Sequence, residues 1–307
     1  MSKPSFAVTI PLGSNEWLSS IAVLDSASDS IDRGNGRRMA LFCHGISAHK
    51  DSPRLFASLA QSIPIASLRF DFRGCGDSSG SVLTWTQYYD ALDDVEAVAK
   101  FLEERGWRVD TLVGHSMGSL VALLFTLRNP STTRYFVNMS GRFHMTTGLL
   151  AKLVREGIVS RELIDSLVAS TEGRETLKEG AEIITVNGWR SGRTLNGETV
   201  KGCVVPHQVN LLSGLKVLKR LDGEIATIQE TFQSQIQTIT IHGTLDETVP
   251  VEDADSFARV LPRHALVLVD GGNHNFTHSS HAAFAVDTVV SWFRRCEEVQ
   301  EAGSKLN

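Results

Sequence analysis

Cysteine is scarce in this chain. Only four cysteines occur among 307 residues, and no two have the spacing of a zinc site or a redox motif. They are Cys43, Cys75, Cys203 and Cys296. We expect reduced thiols and no metal ion, as in most cytosolic proteins. A bridge between Cys43 and Cys75 stays open, because the two lie near the ends of strands that could be neighbours.

Long hydrophobic runs and an excess of charge are also lacking. No run approaches the roughly 20 apolar residues that cross a bilayer. The first 20 residues lack the basic start and apolar centre of a signal peptide. The net charge of −5 offers no basic surface for nucleic acid or anionic lipid. We therefore expect a cytoplasmic protein with no nucleic-acid partner and no stable membrane insertion; an oligomer stays open but unsupported.

Short apolar segments alternate with amphipathic ones over most of the chain, which has 42% hydrophobic residues. This alternation predicts an α/β fold with a mostly parallel sheet and helices on both faces. The first two strands are expected to form an antiparallel edge. Strands are predicted at 5–10, 17–24, 39–43, 65–70, 109–113, 135–139, 238–242 and 265–269. Helices are predicted at 53–62, 86–104, 116–128, 252–260 and 281–298.

The alternation stops between residues 141 and 232, where the chain is polar and weakly periodic. A helix is predicted at 155–170, and short strands around Asn-Gly turns at 182–205. Because structureless loops of this length are uncommon, we expect a cap inserted into a core formed by 1–140 and 233–307. The alternative is a set of ordinary surface connections.

The pattern Gly114-His115-Ser116-Met117-Gly118 matches G-x-S-x-G. An apolar strand precedes it and an apolar helix follows it, which is the context that a nucleophile elbow requires. The turn is so tight that small residues must flank the serine, and the helix N-terminus favours developing negative charge. Ser116 is therefore the candidate nucleophile, whereas a structural serine in a glycine turn is the alternative.

A serine nucleophile needs a base, and in this arrangement the acid and then the histidine follow it along the chain. Asp246 lies on the loop after the strand at 238–242, and His274 on the Gly-Gly loop after the strand at 265–269. Both loops leave the carboxyl ends of strands, where open α/β sheets carry their sites. We expect Asp246 to orient His274 and His274 to take the proton from Ser116.

Other acidic residues lie near these loops. The residues from Glu252 onward are predicted to be helical, and Asp270 is expected to cap a turn. The competing acids are Glu247, Glu252, Asp253, Asp255 and Asp270. His278 and His281 suggest a metal site only weakly, because no matching carboxylate or cysteine set accompanies them.

Two further segments bear on the chemistry. An oxyanion hole needs two N–H donors, which we expect from the main chain of Met117 and of Ile46, on the loop after the strand at 39–43. The segment 70–80, with Asp71 and Arg73, is interpreted as a Gly-rich turn that ties loops together. A catalytic Asp71 or Arg73 is the alternative. The Gly-x-Gly of the segment 70–80 does not match a dinucleotide-binding fingerprint.

Together these motifs resemble the α/β-hydrolase superfamily, and within it the branch of serine-aminopeptidase-like hydrolases, monoacylglycerol lipases and cinnamoyl or feruloyl esterases. The matching segments are 44–45, 70–80, 114–118, 242–250 and 271–276. The resemblance covers about residues 39–140 and 236–298, and it implies an eight-stranded sheet, a Ser-Asp-His triad, no cofactor and a cap after the sixth strand. Cys75 departs from the histidine that many relatives have there.

These inferences predict a hydrolase that cleaves a small-molecule carboxylic ester through an acyl-enzyme. Thioesters, amides, lactones and carbon–carbon bonds remain alternatives, because a fold does not choose among them. A hydrolase-fold receptor with slow turnover is the alternative from another class. No substrate-binding residue can be named, because the region at 141–232 resembles nothing identified.

Overall fold

The computed structural model describes residues 2–13, 15–80, 87–171, 183–193, 199–232 and 235–304. Strands and helices alternate over most of this length. The strands are β1 (Ser5–Pro11), β2 (Trp17–Val23), β3 (Arg38–Cys43), β4 (Ala66–Phe70), β5 (Arg108–His115), β6 (Tyr135–Met139), β7 (Ile183–Arg193), β8 (Thr199–Asn210), β9 (Gln237–Gly243) and β10 (His264–Val269). The helices are α1 (Leu55–Ser62), α2 (Tyr88–Glu103), α3 (Met117–Arg128), α4 (Met145–Arg155), α5 (Arg161–Thr171), α6 (Leu211–Ala226), α7 (Ile228–Thr231), α8 (Glu252–Val260) and α9 (Ser279–Ser304).

Eight strands form one open sheet in the order β1-β2-β4-β3-β5-β6-β9-β10. The pairs β1–β2 and β2–β4 are antiparallel, and all the others are parallel. The prediction of a mostly parallel eight-stranded sheet with an antiparallel edge is confirmed. Because β3, β5, β6 and β9 run in one direction, their carboxyl ends meet at one edge, where the candidate residues lie.

Both faces of the sheet are covered by helices. On one face α2, α3 and α8 contribute buried side chains such as Val95, Leu120 and Phe257, together with side chains from α4 and α6. On the other face α1 and α9 contribute Phe56 and Phe293. The central strands β4 and β6 are buried along their whole length, as expected for strands covered on both sides.

The region after β6 differs from the prediction of one helix at 155–170. The structure has α4, which begins earlier at Met145, and a separate α5. Between them Gly157 adopts a positive φ of 67°, and its N–H donates to the Val154 carbonyl. A left-handed glycine at this place ends a helix. The predicted helix is therefore confirmed only over 161–170, where α5 lies, and α4 was not predicted.

The segment 182–205 forms strands, as predicted, but they are long, and the turn predicted at Asn187-Gly188 is wrong. β7 and β8 pair over most of their 11 and 12 residues as one antiparallel ribbon. Asn187 and Gly188 lie within β7, opposite Pro206 and Val205, rather than in a turn. The second Asn-Gly pair of the predicted segment lies outside the described residues. Helix α6 was missed, although its buried residues follow a helical spacing: Leu211, Leu215, Leu218, Leu221 and Ile225.

Candidate active site

Ser116 lies in the sharp turn between β5 and α3. Its φ of 54° and ψ of −121° are strained for a residue with a side chain, and such strain clusters at functional sites. Two close approaches explain the flanking glycines. A Cβ on Gly114 would lie 2.3 Å from the Cα of Ser119, and one on Gly118 would lie 2.1 Å from the Cys43 carbonyl oxygen. Glycine is therefore required on both sides of the elbow.

Asp246 follows β9, and its side chain is fully buried. Its Oδ1 accepts hydrogen bonds from the main-chain N–H groups of Thr248, at 2.8 Å, and Val249, at 2.7 Å. Burial alone would raise the pKa of Asp246, but hydrogen bonds from His242 and His274 outweigh burial and hold the pKa well below its ordinary range. The carboxylate is therefore ionised at neutral pH.

His274 follows β10, and its Nδ1 lies 2.8 Å from Oδ2 of Asp246. The residue is only 6% exposed. Because an ionised carboxylate accepts hydrogen bonds only, Nδ1 carries the proton. The neutral ring then has a bare Nε2, the form that a general base requires.

The loops of Ser116 and His274 are joined through His115. Its Nε2 lies 2.9 Å from the main-chain oxygen of His274, and the two ring centroids are 4.9 Å apart. Burial lowers the pKa of His115 to about 3, so the ring is neutral and Nε2 donates. Within the described residues, Ser116 Oγ forms no hydrogen bond with His274. Such contacts are often long in unliganded enzymes and tighten when substrate binds.

The two expected oxyanion donors are not used by the described part of the chain: neither the Ile46 N–H nor the Met117 N–H donates to an acceptor there. Ile46 is 37% exposed, on the loop after β3. Lys50, further along this loop, donates its N–H and its ammonium to the buried Asp71, at 2.5 and 2.6 Å. At the start of the loop, His44 Nε2 accepts the Phe72 N–H at 3.0 Å.

The segment 70–80 therefore ties loops together. Asp71 holds Lys50 and also accepts the Asp77 N–H at 2.9 Å. Arg73 forms an ion pair with Asp94 of α2, with Nη2 and Oδ1 2.6 Å apart. These contacts support the interpretation of Asp71 and Arg73 as structural ties.

Two residues near Asp246 were missed. His242 Nε2 lies 3.2 Å from the same Oδ2 that His274 contacts, and 3.0 Å from the Val249 carbonyl oxygen. The signals in the sequence were its position four residues before Asp246 and its place at the start of the matching segment 242–250. Arg142 Nη2 donates to the Thr248 carbonyl at 2.6 Å. No local pattern marks Arg142, since its partner lies 106 residues away.

The competing residues lie elsewhere. Glu252, Asp253 and Asp255 belong to the first turn of α8, as expected. Asp270 is exposed, and its Oδ1 is 3.4 Å from Thr244 Oγ1. His278 and His281 have ring centroids 5.1 Å apart, and no group of three or more potential metal ligands occurs among the residues that the structure describes.

Cys43 and Cys296 are free thiols, so the open possibility of a Cys43–Cys75 bridge is excluded. The side chain of Cys203 lies outside the description. None of the described helices is long and apolar enough to cross a bilayer.

Solved structures with the same fold include several hydrolases. Est1E from Butyrivibrio proteoclasticus, with ferulic acid bound, superposes with a TM-score of 0.63 at 17% identity, over 95% of this chain and 100% of that chain. The esterase domain of a Rhodothermus marinus protein gives 0.58 at 18% identity, over 95% and 98%. Mouse alpha/beta hydrolase domain-containing protein 10 gives 0.61 at 15% identity, over 94% and 99%. At these low identities, the superpositions show that the fold is shared.

The family model described as serine aminopeptidase, S33, matches residues 34–280, which includes the elbow and both loops after β9 and β10. The open, mostly parallel sheet and the structural relatives agree with that match. The chain has the α/β-hydrolase fold and belongs to the serine aminopeptidase (S33) family.

Proposed function

We propose that this protein is a serine hydrolase that cleaves a carboxylic ester of a small to medium-sized molecule. One observation carries the proposal: the buried Asp246 holds Nδ1 of His274 at 2.8 Å, and His274 is joined through His115 to the strained turn that bears Ser116. A buried, ionised carboxylate that orients an imidazole beside an elbow serine supports nucleophilic acyl transfer.

In the proposed mechanism, Ser116 Oγ attacks the ester carbonyl while Nε2 of His274 takes its proton. The Ile46 and Met117 N–H groups, unused by the described residues, hold the oxyanion of the tetrahedral intermediate. Collapse breaks the bond to the alcohol oxygen, which leaves with the proton from His274. Water then attacks the acyl-serine with His274 again as base, and the carboxylic acid is released. Asp246 stays ionised throughout.

Hydrolysis of p-nitrophenyl esters from acetate to palmitate tests this proposal. The wild type is expected to turn over with a chain-length optimum, and Ser116→Ala to lose at least about a thousandfold in kcat. Ser280→Ala is the matched control, because this serine is exposed on α9 and bonds only to His278. Equal rates for wild type and Ser116→Ala would contradict the proposal.

The family match supports peptide bonds as a second candidate substrate, because its description names aminopeptidases. The same serine, histidine and oxyanion donors act on amides. Aminoacyl p-nitroanilides offered beside the esters separate the two. Faster turnover of the anilides, lost in Ser116→Ala, would replace the ester by an amide and leave the mechanism in place.

A further inference from the structure

Arg142 is a buried cation outside every motif that marked the site. It lies three residues after the end of β6 and is only 8% exposed. Buried cations are normally paired with a carboxylate. Asp253 of α8 interacts electrostatically with Arg142, but no carboxylate of the described residues forms an ion pair with it. Its guanidinium instead donates from Nη2 to the main-chain oxygen of Thr248, at 2.6 Å. A hydrogen bond from a buried guanidinium to this carbonyl indicates that the position of the carbonyl matters.

Thr248 connects Arg142 to the candidate acid. While its carbonyl accepts from Arg142, its N–H donates to Oδ1 of Asp246 at 2.8 Å. Asp246 in turn holds His274 through its other oxygen. Arg142 is thus two hydrogen bonds from the carboxylate, and it holds the residue whose N–H donates to Oδ1 of Asp246.

Helix α4 packs against Nη1, the other terminal nitrogen of the guanidinium. A Cβ on Gly148, in the first turns of α4, would lie 2.4 Å from Nη1 of Arg142. Glycine inside a helix is unfavourable relative to alanine, so the close approach of Arg142 gives this glycine a physical reason.

The segment that carries Arg142 and α4 is itself anchored at several points. The Phe143 N–H donates to Oδ2 of Asp253 at 3.0 Å, and Arg155 Nη2 donates to the Glu247 carbonyl at 3.2 Å. The carboxylate of Asp222, in α6, accepts the first N–H groups of α4, those of Met145 and Thr146 at 2.8 and 3.0 Å. These four hydrogen bonds attach the segment to α6, to α8 and to the loop after β9. The segment therefore provides a fixed support for Arg142.

We propose that Arg142 is a positioning residue. Its guanidinium, packed against α4, holds the Thr248 carbonyl and thereby keeps the Thr248 N–H on Asp246. The placement of α4 is in this way coupled to the orientation of His274. The inference rests on the proposed function, because it assigns Arg142 a role in the same reaction. Arg142 does not touch the substrate in this account.

The first test compares Arg142→Met and Arg142→Lys with the wild type on p-nitrophenyl butyrate. For Arg142→Met we expect kcat to fall about 10- to 100-fold, the range for small misplacements of catalytic groups, and KM to change less than about twofold. The acidic limb of the kcat/KM profile should move to higher pH, because the loss of a nearby cation favours the protonated forms of groups in the site. Arg142→Lys retains the charge and should restore part of kcat and of the limb.

Gly148→Ala displaces the guanidinium without removing its charge. We expect it to lower kcat in the same direction as Arg142→Met. Gly223→Ala is the matched control in α6, because a Cβ there meets nothing within 4 Å. It should leave kcat and the pH profile unchanged. The melting temperature of each variant shows whether it is folded. If Arg142→Met does not fold, Gly148→Ala still tests the proposal.

The outcomes separate the two proposals. An active wild type whose kcat and pH profile are unchanged in folded Arg142→Met and Gly148→Ala overturns the positioning role and leaves the proposed function standing. A rise in KM alone also overturns it, because Arg142 would then contact substrate. A Ser116→Ala variant as active as the wild type overturns the proposed function, and the role of Arg142 with it.

Discussion

The Nε2 atom of His115 lies 2.9 Å from the main-chain oxygen of His274, so the residue before the candidate nucleophile holds the backbone of the candidate base. The two residues are 159 positions apart in the chain. Their hydrogen bond connects the carboxyl end of β5 with the loop after β10, which are not neighbouring strands of the sheet.

His115→Phe keeps a ring in the buried space and removes the donor. Loss of a buried hydrogen bond costs about 1 kcal/mol. If this loss appears in the activation free energy through a misplaced His274, kcat should fall about tenfold. His115→Gln retains an N–H donor and should recover part of this loss. Steady-state kinetics on one ester measure both. Equal rates for His115→Phe and the wild type would show that the bond does not position His274.

His242 offers a second test of the acid. It shares Oδ2 of Asp246 with His274, at 3.2 and 2.8 Å. His242→Phe removes one donor from the carboxylate while keeping the ring volume, and we expect kcat to fall about tenfold because Asp246 loses one of the contacts that fix it. His264→Phe is the control: His264 also belongs to a strand of the sheet, but it bonds to Thr238, away from the site. It should leave kcat unchanged, and an equal fall in both variants would contradict the role of His242.

The candidate catalytic residues could be proposed from the sequence because each has a local signal. Ser116 lies in a five-residue pattern between a strand and a helix, and Asp246 and His274 lie on the loops that follow β9 and β10. The sheet could be predicted for the same reason, since buried parallel strands are short apolar runs.

The supports of these residues could not be predicted, because they are contacts between distant segments. Arg142 meets Thr248, and Lys50 meets Asp71, only once the sheet has brought their loops together. The region after β6 was predicted least well. A left-handed Gly157 separates two helices there, and Asn187-Gly188, a frequent turn pair, lies within a strand because β8 pairs with it throughout.

Two buried histidines, His44 and His115, and the half-buried His264 predict a loss of stability in mild acid. Burial lowers the pKa of His44 to about 4, of His115 to about 3 and of His264 to about 4. Their ordinary pKa is about 6.5, so below that pH the unfolded chain binds protons that the folded chain does not. The free energy of unfolding is therefore constant above about pH 7 and falls as the pH drops through 6.5 and below.

Urea unfolding at pH 7.5 and 5.5 measures this effect. Each of the three histidines should lower the free energy of unfolding by about 1.4 kcal/mol between the two values. His264→Gln removes one titrating group far from the site, and its difference between the two pH values should be smaller by about that amount. Equal stability of the wild type at both values would refute the assignment of neutral, buried histidines.

Lys50→Met tests the support of the oxyanion loop. The variant leaves Asp71, whose side chain is fully buried, without its cation. Removing one partner of a buried pair costs about 3–5 kcal/mol, and we expect kcat to fall as well, because Lys50 lies on the loop that carries Ile46. Arg128→Ala is the control. It breaks an exposed pair with Glu96 and should cost less than about 1 kcal/mol. Similar losses of stability in the two variants would contradict the account of this loop.

Phosphonylation by a fluorophosphonate tests the central claim most directly, because the reagent reports an activated serine whatever the natural substrate is. The account predicts one adduct per chain, found by peptide mass spectrometry on Ser116. It also predicts no adduct in Ser116→Ala and a rate at least about a hundredfold lower in His274→Gln, which lacks the base. No adduct in the folded wild type, or an adduct that persists in Ser116→Ala, would contradict the claim that Ser116 is a nucleophile activated by His274 and Asp246.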